Sequence, residues 1–348
     1  MNNEFRIEYV DLKQQMLVDE ICVFLSQFGL SYDGDVEFTV ALRDQYNTLV
    51  GTGSFSGEVL RNIAVDESLQ GAGLTSKILT ALMQEMARRG VMHYFVFTQP
   101  GKAHFFANLG FSEIARAEPY AVLLESGLGS VESYCAFISK VTAHLQIKRA
   151  GIVVNCNPFT KGHRALISRA AAENSGVIVF VVSEDCSLFP FQDRLKLVRA
   201  GVADLKNVVV VPSGEYIVSS TTFPTYFTRK ENLLDAQTRL DISLFATQIA
   251  PRLGISVRYA GEEPYCPVTE AYNRAMLDIL PEYGIELRII PRVAVDGQIV
   301  SASKVRELIR QDKWDCLKTM LPDVTIDYLQ AEENRAVIEQ VKVSNCRH

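Results

Sequence analysis

The 348-residue sequence predicts an α/β protein in two parts: a mixed α+β domain, then a domain built on a parallel sheet. Three observations predict it. From Ala150 onward, apolar runs rich in β-branched residues alternate with helical stretches. Such continuous runs are strands covered on both faces, as in a parallel sheet. Before residue 130 the strand-like runs are short and alternate in polarity, as half-buried antiparallel strands do. The composition, 48% hydrophobic and 22% charged, is that of a globular chain long enough for two or three cores.

The elements follow in order. "QQMLVDEICVFLSQF" spaces its apolar residues as an amphipathic helix does. "VEFTVALR", "TLVGTGSF" and "RNIAVD" read as strands. "GTGSFSG" mimics a dinucleotide fingerprint, but no helix follows it, so it reads as a hairpin strand. "QGAGL" turns into the helix "TSKILTALMQEMARRG", and the strand "MHYFVFT" follows. "AHFFANLGF" reads as a short helix ending at Gly110, and "AVLLES" closes a first domain, residues 1–130. The glycines and serines of "ESGLGSVESY" mark a connection, and a helix through "SYCAFISKVTAHLQIK" bridges residues 131–148. The second domain, residues 149–348, carries the strands "GIVVN", "VIVFVVS", "NVVVVP", "ISVRYA" and "IELRIIP". Residues 303–340 are helical, with a stop near Pro322.

The net charge of −6 argues against a general nucleic-acid binder. No apolar run approaches the ~20 residues of a membrane span, and the polar start "MNNEFRIEYVDLKQQ" is not a secretory signal. The seven cysteines form no CxxC pair and the five histidines are scattered. This predicts reduced thiols, a cytoplasmic chain and no structural zinc or other protein-built metal site. Each cysteine reads as a small buried residue, and His93 and His104 as packing or surface residues.

Two helix starts carry the chemistry. After "GIVVN" a proline-containing loop enters the helix "GHRALISRAAAEN". Helix starts favour acidic side chains, because their free N–H groups carry partial positive charge. Here Lys161, His163 and Arg164 make the first turn basic, and an anion would complete it. Ligands of open parallel sheets lie beyond the carboxyl ends of strands, where Asn157, Thr160 and His163 fall. Gly162 permits close backbone approach. Thr160 suits a cap or a phosphate contact, and His163 a donor to phosphate. The second start is "GQIVSASKVRELIR": Ser301 and Ser303 suit a cap, and Lys304 and Arg306 fall in the first turn. Taken singly, His163 also suits a capping histidine, and "SASKVR" a capped helix with a solvated basic face. Their joint occurrence on a parallel-sheet pattern favours one triphosphate site with converging basic side chains.

Thr160-Lys161-Gly162-His163 resembles the TxGH form of the HxGH motif of the nucleotidylyltransferase superfamily, with Thr160 where many members have a first histidine. "SASKVR" resembles the second, SxSxxR motif. The blocks "NPFTKGHRALI", "SEDCSLFPFQDRLKLV", "TTFPTYF", "GEEPYCPVTEAYN" and "VSASKVR" together resemble the citrate lyase ligase family. "VDESLQGAGLTSKILTAL" is similar to the pyrophosphate loop of GNAT acetyltransferases, with Thr75 where a small residue is usual. The resemblance implies a GNAT-like domain ahead of a Rossmann-like nucleotidylyltransferase domain, in that family's order. It also implies an acid–thiol ligase that uses ATP with Mg²⁺. Acetate would become acetyl-adenylate, and the thiol of the citrate lyase acyl carrier protein would take the acetyl group. Catalysis falls to His163 at the α-phosphate and to Lys304 and Arg306, with Ser301 and Ser303, at the β- and γ-phosphates. Asn155, Asn157, Phe159, Thr160 and Gly162 complete the nucleotide loop. Gln70, Gly71, Gly73 and Thr75 would hold the carrier's coenzyme A-like arm.

Other residues carry two readings. Glu262 and Glu263 suit Mg²⁺, a ribose or a solvated loop. Arg194 suits a surface helix more than phosphate, and Tyr226 and Phe227 suit an acyl pocket or a core. Three rival functions stay open: adenylylation of a phosphate-bearing cofactor precursor, a non-catalytic sensor of ATP and coenzyme A, and a working acetyltransferase.

Overall fold

The alternating runs of the first 130 residues pair into one mixed sheet. A computed structural model of the chain describes residues 5–71, 73–183, 187–217, 223, 226–227, 232–262, 267–295 and 298–344. The chain divides into two units, residues 1–133 with 218–244, and residues 134–217 with 245–348.

The first unit opens with β1 (Arg6–Tyr9), α1 (Gln15–Ser26), β2 (Phe38–Arg43), β3 (Leu49–Ser56) and β4 (Val59–Val65). It continues through α2 (Leu74–Arg88), β5 (His93–Thr98), α3 (Ala103–Ala107), β6 (Ser112–Ala117) and β7 (Ala121–Gly127). The strand order is β1-β2-β3-β4-β5-β7-β6. Neighbours are antiparallel except β4 and β5, which run parallel through Val59↔Phe95 and Leu60↔Val96. "GTGSFSG" lies in the hairpin strand β3, and its glycines have a packing reason. A Cβ on Gly53 would stand 2.5 Å from Ile78 Cγ2, so α2 seats on bare backbone. There α2 buries Leu74, Ile78, Leu79, Leu82 and Met86. Full burial of one such side chain stabilises by roughly 1.5–3 kcal/mol. The sequence pattern does not announce β1 and β6. They are the two edges of the sheet, where less of a strand is buried and its apolar signal is weak. His93 Nε2 meets Glu125 Oε2 at 3.0 Å, and the His104 ring lies 3.9 Å from that of Phe105.

The connecting helix α4 (Val131–Val141) leads to β8 (Arg149–Val154), α5 (Lys161–Glu173), β9 (Val177–Val181), α6 (Phe191–Gly201) and β10 (Val208–Pro212). Then α7 (Leu233–Leu244) packs on β6 and β7, back in the first unit. The expected second domain, 149–348, is thus interrupted. The reason is that α7 carries an apolar face, Ala236, Leu240 and Leu244, which is buried. A π-helical turn (Phe245–Ile249) and α8 (Ala250–Leu253) precede β11 (Ile255–Gly261), α9 (Pro267–Ile279) and β12 (Glu286–Ile290). The two-residue strands β13 (Ala294–Val295) and β14 (Gln298–Ile299) form a further pair. The helices α10 (Ala302–Arg310), α11 (Trp314–Met320), α12 (Asp323–Gln330) and α13 (Arg335–Val343) end the described chain. The stretch 303–340 is therefore four helices, with Pro322 at the N-cap of α12.

Five strands, all parallel, run in the order β10-β9-β8-β11-β12. Their β-branched side chains (Ile152, Val177, Val179, Val257) share a core with Ile167 of α5, Val198 of α6 and Val305 of α10. Among the described residues no helix is long and apolar enough to cross a membrane. Cys22, Cys135, Cys156 and Cys316 are free thiols. Contrary to the burial expected of every cysteine, Cys316 is exposed on the solvent side of α11. Cys186, Cys266 and Cys346 lie outside the described residues.

Candidate active site

In the parallel sheet the chain works outward in one direction from β8 and in the other from β11. That reversal is where an open α/β sheet leaves a crevice at its strand ends. A cavity of about 550 Å³ opens there. Asn155, Asn157, Thr160, Gly162 and His163 line it from the segment after β8, and Ser301, Ser303 and Arg306 from the start of α10. Segments 149 residues apart meet through a hydrogen bond that Arg306 Nη1 donates to Asn157 O at 2.6 Å. Arg306 Nη2 also donates to Ser303 Oγ at 3.3 Å. Gly162 permits the approach, since a Cβ there would stand 3.3 Å from the carbonyl of Val300.

The start of α5 is closed by a reciprocal cap. His163 N donates to Thr160 Oγ1 at 3.4 Å, and Thr160 N donates to His163 Nδ1 at 3.1 Å. Accepting that N–H leaves Nδ1 unprotonated, so the ring proton resides on Nε2. Burial, with the charge of Arg292, pushes the imidazole down to about 4. At pH 7 His163 is therefore a neutral hydrogen-bond donor and not a cation. At the start of α10, Ser301 Oγ accepts from Lys304 N at 3.1 Å. Neither first turn contains an acidic residue. Both helix starts thus leave their partial positive charge without an acidic partner in the turn. Cys156, also lining the cavity, is pushed well up by burial, so its thiol stays protonated.

Several expected side chains turn elsewhere. Lys161 Nζ donates to the carbonyls of Lys318 and Thr319 at 2.9 and 3.0 Å, at the end of α11. Arg164 pairs with Asp204 at 2.6 Å. Lys304 pairs with Glu307 at 2.9 Å, a partner one turn along the same helix face. None of these three is among the lining residues. Phe159 is fully buried beneath the cavity instead of lining it as expected. Its ring fills the space over Gly201 and lies nearly parallel to the His163 ring, 6.1 Å away. An apolar ring gains more from that core than from a polar loop. Arg194, expected on a helix surface, is fully buried. It donates to Phe189 O, Asn155 O, Asn155 Oδ1 and Val182 O at 2.8–2.9 Å, and so holds the loop from beneath. Tyr226 belongs to the first unit, where its hydroxyl donates to Phe97 O at 2.9 Å, and Phe227 packs on Phe223. Neither shapes this cavity.

Sequence reasoning missed Arg169 and Arg292, which line the cavity. Arg169 pairs with Glu173. Arg292 Nε donates to the carbonyl of Glu262, itself a lining residue, at 2.7 Å. Glu262 and Arg292 follow the ends of β11 and β12, so the strand-end rule that located Asn157 points to both. Glu263 lies outside the described residues. In the first unit the turn after β4 holds Gly71 and Gly73 at φ of 87° and 72°. Gly73 begins α2 with no side-chain cap, beside Gln70 and Thr75.

The fold and the cavity define a two-domain α/β protein: a GNAT-like unit and a parallel-sheet unit with a cavity at its strand ends. Residues 149–329 match the citrate lyase ligase C-terminal domain model, and residues 3–111 the acetyltransferase (GNAT) family model. The chain is 38% identical to the [citrate [pro-3S]-lyase] ligase of Klebsiella pneumoniae, over 91% of this chain and 94% of that one. It is 34% identical to the protein of that name from Haemophilus influenzae, over 91% and 96%, and 35% identical to that from Escherichia coli, over 89% and 90%. The chain belongs to the citrate lyase ligase family.

Proposed function

We propose that this protein is an acid–thiol ligase that acetylates the thiol prosthetic group of the citrate lyase acyl carrier protein at the expense of ATP. An acetate oxygen attacks the α-phosphorus, the bond to the β-phosphate oxygen breaks, and acetyl-adenylate and pyrophosphate form. The carrier's sulfur then attacks the acetyl carbon, the bond to the adenylyl oxygen breaks, and AMP leaves as the thiol proton passes to solvent. One observation carries the reading: two helix starts far apart in sequence open on one cavity and are tied by the Arg306–Asn157 bond. A cavity of about 550 Å³ suits a nucleotide.

Each residue acts through fixed charge or a fixed donor. His163 Nε2 donates to the α-phosphoryl oxygen without adding a charge that acetate would seek. Ser301, Ser303 and the α10 start bind the leaving pyrophosphate, with Arg306 holding the two segments in register. Preorganised donors of this kind supply most of the catalysis in phosphoryl and acyl transfer. Mg²⁺, when bound with ATP, neutralises phosphate charge, and Glu262 is the lining carboxylate that would share it. The turn at Gln70–Thr75 would hold the carrier's arm through the free N–H groups of α2.

Acetate-dependent exchange of pyrophosphate into ATP tests the first step. Removing one such donor costs ~100-fold or more, so His163→Ala is expected to lose exchange by about that factor. AMP is expected to accumulate stoichiometrically only when carrier thiol is supplied. Near-normal exchange in His163→Ala removes His163 from the mechanism, and exchange driven by a phosphate ester in place of acetate favours the cofactor-adenylylating alternative.

A further inference from the structure

Asn155 stands exposed just past the end of β8 and lines the cavity. Its carboxamide is held in one orientation. Arg194 Nη1 donates to Asn155 Oδ1 at 2.8 Å, and Ser187 Oγ donates to the same oxygen at 3.1 Å. A guanidinium only donates, so the atom it meets is the amide oxygen and not the nitrogen. Two donors occupy that oxygen, which leaves the Nδ2 donor for the cavity. Arg194 is itself fully buried and also donates to Asn155 O, Val182 O and Phe189 O at 2.8–2.9 Å, so the brace cannot turn.

The place of this donor selects its partner. The cavity is lined by segments after β8, β11 and β12, by α5 and by the start of α10. Both groups that hold the Asn155 carboxamide come from the stretch between β9 and the middle of α6, across β8 from β11 and β12. Asn155 thus forms the wall on the β9 side. Ser301 and Ser303, which would receive pyrophosphate, lie at the start of α10, beyond β12 in the chain. In phosphoryl transfer the attacking and leaving oxygens lie roughly in line. With pyrophosphate leaving toward α10, the acid attacks from the wall that Asn155 forms. An amide N–H whose own oxygen is polarised by a guanidinium is a strengthened donor for a carboxylate there.

We infer that Asn155 Nδ2 binds the carboxylate of the acid substrate, donating to the oxygen that does not attack, and that Arg194 is a positioning residue that acts through Asn155. The inference rests on the ligase reading for its substrate, and it moves Asn155 from the nucleotide to the acid.

The test uses full-length protein with Asn155→Ala, Arg194→Lys and both together. The acetate and ATP dependences of pyrophosphate exchange are measured separately. A hydrogen bond to a charged group is worth ~10-fold or more in affinity. Asn155→Ala is expected to raise the acetate KM by about that factor and to leave the ATP KM near the wild-type value. Arg194→Lys keeps the charge but loses the fork of donors, so a severalfold rise in acetate KM is expected. Added to Asn155→Ala it is expected to raise that KM no further, because its effect runs through the amide. Equal rises for acetate and ATP in Asn155→Ala, or losses that add in full in the double variant, would overturn the inference. A second measurement needs no turnover. The carboxamide NMR signals of Asn155, assigned by their loss in Asn155→Ala, are followed as acetate is added to protein holding α,β-methylene-ATP. Those signals are expected to move. If wild-type protein shows no acetate-dependent exchange but the signals move with acetate, the ligase reading fails and the carboxylate site stands. Signals that stay in place overturn the site whether or not exchange occurs.

Discussion

At the residue scale the site turns on protonation and on where side chains are pulled. A first-turn histidine suggests a cation, yet burial and Arg292 hold His163 at about 4. Its folded value lies below the ordinary 6.5, so between the two the unfolded chain binds the extra proton. The folded state is therefore favoured fully above that window and loses this contribution as pH falls from about 6.5 toward 4. ATP bound as proposed would place negative charge beside the ring and raise its affinity for a proton. We expect the His163 imidazole to titrate near pH 4 in the free protein by NMR and at higher pH once ATP is bound. A free-state midpoint near 6.5 would show that the ring is solvated and that its cap does not persist. Phe159 and Arg194 make the complementary point. Both sit in sequence where a ligand contact is plausible, but one ring over Gly201 and one guanidinium among four acceptors leave no such freedom.

At the element scale, three helix starts bear on function, α2, α5 and α10, and each lacks an acidic residue in its first turn, as α1, α3, α8 and α13 also do. Two of them, α5 and α10, open on the cavity through residues after a strand end and after the β13–β14 pair. The third, α2, begins at Gly73 with a left-handed φ of 72°. A branched side chain is strained there. Gly73→Val is therefore expected to slow acetyl transfer to the carrier severalfold while pyrophosphate exchange continues at the wild-type rate. Equal loss of both reactions would mean that α2 supports the fold and not the arm. Legibility also differed by element. The central strands and the helices α2 and α5 are plain in the sequence because their faces are buried and periodic. The edges β1 and β6 are not, since half of an edge strand faces away from its sheet. The joints within 303–340 were also largely hidden, because short helices joined by brief turns read as one helical stretch.

At the scale of the whole molecule the order of the sequence and the order of the units differ. The stretch 218–244 lies amid the second unit's sequence but is counted with the first, where α7 packs on β6 and β7. A fragment of residues 1–148 would leave that sheet face bare. We expect it to melt well below a version that carries 218–244 by fusion. Coincident melting curves would show that α7 adds nothing to that core. The sequence by itself determined the fold class, the two motif-bearing helix starts and the family, because strand runs, caps and motif blocks are local patterns. Only the tertiary structure decided which cations face the cavity, that His163 is neutral, and that Arg292 stands beside it. Those depend on desolvation and on partners such as Asp204, Glu307 and the Glu262 carbonyl, and no local pattern records which distant group a long side chain will find.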